Sequence, residues 1–346
     1  MQQHIKLTDL NPDEIAARLE LKPFQGRQIF RWLHAKKKFD VDAMTDLSKD
    51  LRQRLKDECQ MNQLELVHLS DSVKSTGTRK ALFKLHDGET VESVIIRDSE
   101  RVTLCLSTQV GCAVKCTFCA TGISGFTRNL SPGEIVEQAI YMLANENLGD
   151  KNPNIVYMGM GEPFRNYDNT VASVRMLMNK EGLNLGARKI TVSTAGDVPG
   201  IERFANEKWQ VRLSVSLHAA NNDLRDELVP LNRKYPLARL MEAVRDYMDV
   251  TGRHITFEWT LLSGVNDREQ DADEIAKLVR DLNITVNLIP YNPVIELGYT
   301  PPPRKHCEQF RDSLEHRGVN ATLRRERGQD INAACGQLRR QHLTEA

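Results

Sequence analysis

After residue 100 the chain repeats one rhythm six times: an extended run, a loop, and a helical stretch. The extended runs are VTLCLST (102–108), NIVYMGM (154–160), KITVST (189–194), VRLSVSLH (211–218), HITFEWTLL (254–262) and ITVNLIP (284–290). A further run, NATLRR, lies near 320. Successive units of this kind fold as parallel strands joined by right-handed crossovers, with helices outside. One helix start is explicit. SPGE (131–134) places Ser131 as cap, Pro132 at the first position and Glu134 at the third.

Strand parity narrows the architecture. In 211–218, Leu213, Val215 and Leu217 share one face, and Arg212, Ser214, Ser216 and His218 the other. Phe257, Trp259 and Leu261 likewise oppose Thr256, Glu258 and Thr260, and Ile190 and Val192 oppose Thr191 and Ser193. Val286 and Leu288 oppose Thr285 and Asn287. A parallel strand covered on both sides is apolar on both. A polar face on four strands therefore points to the occupied lumen of a partial barrel, or else to an open sheet with one wet face. In the barrel, ligands sit in the loops at the C-terminal strand ends.

The first sixty residues read as helices. Asn11, Pro12 and Glu14 form a cap sequence, PFQGRQIFRWLHAKKK carries a basic side of Arg27, Arg31, Lys36, Lys37 and Lys38, and a third helix starts at Asp46 or Ser48. From about 64 to 97 the pattern is extended, with a hairpin signal at HDGE (86–89). The expected organisation is thus a helical accessory domain over 1–63, a β-hairpin connector over 64–100, and an α/β partial (β/α)6 barrel over 101–346.

Lys plus Arg and Asp plus Glu both total 47, so no global field attracts nucleic acid, and any such site must be local. The polar start MQQHIKLTDL has no apolar signal core, and no run approaches a membrane span. A cytoplasmic monomer is the expectation. Seven cysteines, at 59, 105, 112, 116, 119, 307 and 335, are an odd count with a tight cluster, which suits metal binding or thiol chemistry better than a disulfide framework.

GCAVKCTFCATG (111–122) holds Cys112, Cys116 and Cys119 in the loop after the first barrel strand. Three thiolates hold three irons of a [4Fe–4S] cluster and leave the fourth open for a substrate. Zinc with a fourth ligand from elsewhere, such as His218, is the alternative. Cys105 shares parity with Thr103 and Ser107 and points into the lumen, and Cys335 lies in a polar, small-residue loop, RGQDINAACGQLRR. Each of these two has a plainer reading as a small buried hydrophobe, which is the preferred one for Cys59 and Cys307, both expected on helices.

CAVKCTFC, with an aromatic before its third cysteine, resembles the signature of the radical S-adenosylmethionine (SAM) superfamily, and GMGEP (159–163) resembles its glycine-rich SAM loop. Nearly the whole chain resembles the RlmN/Cfr group of radical SAM RNA methyltransferases, through STQVGCAVKCTFCATG, GMGEP, SLHAANNDLRDELVPLNRKYP, YNP and RERGQDINAACGQL. SLHA and GMGEP look more like the RlmN branch.

The resemblance implies methylation of adenosine C2 in 23S rRNA and tRNA, using a [4Fe–4S] cluster, two SAM per turnover and an electron donor such as flavodoxin. It implies that Cys335 carries the methyl group and that Cys105 resolves the protein–RNA adduct, ending in a Cys105–Cys335 disulfide. Glu92 matches the proton acceptor, although a solvated strand carboxylate reads almost as well. Gly161 and Glu162 would meet the SAM amino group. Ser193, Ser216, Leu217 (through its backbone), His218 and Asn292 would line the rest of SAM, with a plain lumen hydrogen bond as the other reading of His218. Arg324, Arg325, Arg327, Arg339 and Arg340 bracket Cys335 and would hold RNA phosphates. C8 methylation of the Cfr type, a radical SAM activase, and a zinc-stabilised RNA-binding module are the alternatives.

Overall fold

A computed structural model describes residues 4–98, 101–144, 146, 152–325 and 327–339. Ten strands form one sheet whose spatial order follows the chain. They are β1 (Leu64–Asp71), β2 (Thr78–Leu85), β3 (Thr90–Arg97), β4 (Val102–Cys105), β5 (Asn154–Tyr157), β6 (Ile190–Thr194), β7 (Arg212–Ser216), β8 (Ile255–Leu261), β9 (Ile284–Pro290) and β10 (Ala321–Leu323). From β4 to β10 every pairing is parallel. β1, β2 and β3 are antiparallel, and β3 pairs antiparallel with β4. The segment read as a hairpin connector is thus three strands that extend the barrel's own sheet.

Helices fill the crossovers as the rhythm requires. They include Pro132–Ala144 after β4, Tyr167–Met178 after β5, Val198–Ala205 after β6, and Asn222–Leu228 and Leu237–Thr251 after β7. Ser131 and Glu134 cap the first reciprocally, at 2.9 and 3.2 Å. The apolar strand faces pack under these helices, with Leu213 at 2% exposure and Val215, Phe257 and Trp259 at 0%. The polar faces are enclosed too. Ser214 Oγ and Asn287 Nδ2 donate to the Glu258 carboxylate at 2.8 and 2.6 Å inside the lumen. The open wet sheet is therefore excluded.

The N-terminal region holds helices Pro12–Arg18, Pro23–Phe30 and Lys49–Glu58, the second running on as a π-helical turn at Arg31–Ala35. Asn11 Oδ1 accepts from Asp13 and Glu14 N–H at 3.0 Å each, a cap of the kind worth about 1 kcal/mol. Leu7, Ile15, Leu19, Phe30 and Leu33 belong to the same continuous core as the barrel. A buried carboxylate fastens the two parts. Glu137 accepts from Thr8 Oγ1 at 2.6 Å and from Gln63 and Leu64 N–H at 2.8 and 2.9 Å. Cys59 departs from its helical expectation, falling in a two-residue strand just past the third helix. Among the described residues, no helix is long and apolar enough to cross a membrane.

Candidate active site

One cavity opens at the C-terminal strand ends. Its wall carries Cys112, Cys116 and Cys119, Gly161 and Glu162, Ser193, Ser216 and His218, and Cys335. The lumen parity of Ser193, Ser216 and His218 and the position of the cysteine loop are as the strand pattern requires.

The cysteine loop is pinned by its own neighbourhood. Cys112 N–H donates to Gly125 O at 2.9 Å, and Gly122 N–H to Cys119 O at 2.9 Å. Burial pushes the Cys112 thiol up to about 12. Burial, then the charges of Cys112 and Cys119, raises Cys116 well above its ordinary value. Three half-buried soft donors gather on one short loop, and two of them resist losing their protons unless a metal centre draws them off, so the donor set fits an iron–sulfur cluster. Zinc fits less well. His218 Nδ1 already accepts from Thr260 N–H at 3.0 Å. Among the described residues, no three His, Cys, Asp or Glu side chains gather as they would around a single ion. A four-iron cluster, held by one thiolate per iron, spaces its ligands more widely.

The GMGEP loop is tightly packed. Gly161 has φ +106°, and a Cβ there would lie 2.6 Å from Gln109 Cβ. Glu162 is buried, accepts from Ala195 N–H at 2.7 Å and Phe164 N–H at 3.0 Å, and burial raises its carboxyl to about 7. His218 sits at φ +59°, edge-on to Phe118 with centroids 4.7 Å apart. Burial, followed by the Arg225 charge, lowers it to about 3, so the imidazole is neutral. Since Nδ1 accepts, the proton is on Nε2.

Two expected SAM residues do not line the cavity. Leu217 is fully buried, with its N–H donating to Glu258 O and its carbonyl accepting from Arg225 Nε, both at 3.0 Å. Asn292 holds the C-terminal loop: Nδ2 donates to Cys335 O at 3.1 Å, and Oδ1 accepts from Gln329 at 2.9 Å.

Cys105 is half-buried and Cys335 is exposed. Burial and then the Cys335 charge push Cys105 up to about 12, so the two thiols are electrostatic neighbours. Cys335 is open to solvent on one side, yet protein crowds it enough to push it up to about 11, with the Arg324 charge opposing. Glu92 is not a solvated strand carboxylate. It is 0% exposed, paired with Lys80 Nζ at 2.8 Å, and accepts from Arg339 N–H at 3.0 Å.

The basic residues divide. Arg327 pairs with Asp98 at 3.1 Å, Arg339 with Glu296 at 2.8 Å, and Arg31 with Glu181. Arg324 and Arg325 are exposed, and Arg340 lies outside the described residues. Strand spacing gave no sign of Lys80 or of Arg225, which is buried beside the cysteine loop. Lys80 stands on a strand read only as extended, and Arg225 sits in a run of charges, NNDLRDEL.

A partial parallel barrel with a three-cysteine loop after its first strand defines the radical SAM class, and a family model described as "Radical SAM superfamily" matches residues 106–279. A second, described as "Ribosomal RNA large subunit methyltransferase N-terminal domain", matches residues 5–61. A protein of Moorella thermoacetica named "Probable dual-specificity RNA methyltransferase RlmN" is 46% identical over 349 residues, covering 98% of each chain. A protein of the same name from Bacillus subtilis is 46% identical over 322 residues, 92% of this chain and 87% of its own. The crystal structure of a radical SAM methyltransferase from Sphaerobacter thermophilus superposes with a TM-score of 0.93 at 46% identity, covering 97% of this chain and 99% of that one. The chain belongs to the RlmN family of the radical SAM superfamily.

Proposed function

We propose that this chain is an RNA methyltransferase that adds a methyl group to C2 of adenosine in 23S rRNA and in tRNA. The observation that carries this reading is that Cys335 lines the cavity of the three-cysteine loop and that Cys105, 230 positions away in sequence, is its electrostatic neighbour. A radical enzyme that only abstracts hydrogen has no need of a second thiol pair.

C2 lies between two ring nitrogens and is too electron-poor to attack an electrophilic methyl group. The chain's own residues answer this. Cys112, Cys116 and Cys119 hold a [4Fe–4S] cluster. Gly161, Glu162, Ser193, Ser216 and His218 hold SAM, whose ammonium group would keep Glu162 ionised. Bound there, the cluster and SAM supply one-electron chemistry, a radical able to take hydrogen from a methyl group. Cys335 first accepts a methyl group from one SAM, and a second SAM per turnover activates it. The resulting methylene adds to adenine C2. Loss of the C2 proton to Glu92 and of one electron, returned to the oxidised cluster held by Cys112, Cys116 and Cys119, restores the aromatic ring. The Cys105 thiolate then attacks the Cys335 sulfur, the carbon–sulfur bond breaks, the leaving carbon takes a proton, and methyladenine departs as the disulfide forms. The target base must leave its stack to reach the cavity. Exposed Arg324 and Arg325 remain suited to phosphates, and a flavodoxin-like donor would supply electrons to a monomer in the cytoplasm.

The test is nucleoside mass spectrometry of RNA incubated anaerobically with reconstituted protein, SAM and reductant. 2-Methyladenosine is the expected product. 8-Methyladenosine would replace the C2 assignment, and no methyladenosine at all would overturn the reading.

A further inference from the structure

Arg225 carries a charge that the protein alone does not balance. It lies in the helix Asn222–Leu228 and is 0% exposed. Its guanidinium donates to Leu217 O at 3.0 Å, Asn232 Oδ1 at 2.9 Å, Ala195 O at 2.8 Å and Ser216 O at 3.2 Å. All four acceptors are neutral. Among the described residues, no carboxylate forms an ion pair with it. The adjacent Asp226 is bonded to Asn232 at 2.6 Å and acts on Arg225 only through space. Burial brings the guanidinium down to about 10, still charged at neutral pH. A buried cation without a counter-charge is costly, and removing one partner of a buried pair is costlier than never having had the pair.

The missing negative charge is close by. The Arg225 helix packs directly on the cysteine loop: Thr117 N–H donates to Leu228 O at 3.1 Å. Leu228 and Val229 share an apolar cluster with Val114 and Phe118, against which Cys112, Cys116 and Cys119 pack. After burial, the Cys116 charge is the strongest influence on the guanidinium. Three thiolates outweigh the positive core of a [4Fe–4S] cluster, and more so after one electron is added. Net charge and nearby dipoles set such potentials. The same side chain bridges the ends of β6 and β7 through Ala195 and Ser216, where SAM residues stand.

We infer that Arg225 is the buried counter-charge of the cluster, a positioning residue that makes the cluster easier to reduce while fixing two strand ends of the SAM site. The inference rests on the cluster reading of the three cysteines, which iron and sulfide analysis of the reconstituted full chain checks first. If no cluster forms in the wild type, that reading fails.

With the cluster present, an anaerobic redox titration followed by electron paramagnetic resonance, without RNA, compares wild type, Arg225→Gln and Arg225→Lys. Arg225→Gln should be at least tenfold harder to reduce, which is 59 mV for a one-electron couple, and Arg225→Lys should recover much of that. A merely structural role would weaken SAM binding in both variants and leave the potential where it was. An unmoved or higher potential in Arg225→Gln overturns the inference while leaving the cluster reading intact. Should Arg225→Gln not fold, Asp226→Asn, which unscreens the guanidinium, must make the cluster easier to reduce, and an unmoved or lower potential there overturns the inference equally.

Discussion

The two loops that meet at the cavity are anchored by different partners. The cysteine loop closes on short bonds, such as Cys119 N–H to Cys116 O at 3.3 Å and Gly122 N–H to Cys119 O at 2.9 Å, and Thr117 N–H to Leu228 O at 3.1 Å seats it on the barrel. The loop around Cys335 has short bonds of its own, such as Ala333 N–H to Gly328 O at 2.8 Å, and is tied to the rest of the molecule from afar. Asp330 accepts from Ser72 Oγ at 2.6 Å, Asn292 donates to Cys335 O, Glu92 accepts from Arg339 N–H, and Gly336 O accepts from Ala120 N–H at 2.8 Å. A site that must hold its donors in one spacing is written locally. Under the proposed cycle, a thiol that delivers a group and then meets a second thiol would hang on contacts that can be exchanged.

The largest test of this division is to remove a cluster ligand. Cys116→Ala should lose cluster iron and all 5′-deoxyadenosine formation, with the fold retained, as read by iron analysis, product chromatography and circular dichroism. Cys335→Ser should break the other half alone. Methylated RNA should fall below detection, while iron content and the spectral response to SAM stay at wild-type levels. Loss of iron in Cys335→Ser would mean that the two loops are one structural unit, and the comparison would collapse.

What the sequence disclosed follows the same line. Period-two parity identified the lumen, because Ser193, Ser216 and His218 could not all face the core. The cysteine spacing and GMGEP were legible as short motifs just past a strand, although Glu162 finds its partner, Ala195, 33 positions away. Asn292 was legible as a polar residue past a strand but not as the holder of Cys335, since its partner is 43 positions away. Glu92 stayed ambiguous because nothing near it in sequence reveals Lys80 as its partner or the 247-residue reach to Arg339. That pair supplies the next test. Glu92→Gln leaves the Lys80 ammonium buried without its carboxylate, which costs about 3–5 kcal/mol, read as a fall in Cm at constant m. Methylation should drop by about 10²–10⁴-fold if Glu92 is the base. Lys80→Met combined with Glu92→Leu should return most of the stability and none of the activity. Activity returning with stability would make Glu92 a loop anchor and nothing more.

The smallest effect belongs to Asp330, which tethers the Cys335 loop to the β1–β2 turn through Ser72 Oγ and the N–H groups of Val73 and Lys74. Asp330→Asn keeps the shape and weakens three bonds on an exposed loop. Iron content and melting temperature should stay within error, methylation should fall only a few-fold, and iodoacetamide should reach Cys335 faster. The hydrogen bond from Ser72, then that from Lys74, holds the Asp330 carboxyl below the usual carboxylate range. A depressed folded-state value means that the tether is present above the unfolded value and is lost as pH falls through the folded one. The ratio of Cys335 alkylation rates between variant and wild type, which cancels the thiol's own titration, should therefore be flat between about pH 5 and 8 and shrink toward unity only in stronger acid. A ratio already at unity at neutral pH would show that the tether does not restrain the loop, and the Cys335 segment would then owe its position to Asn292 and Glu92 instead.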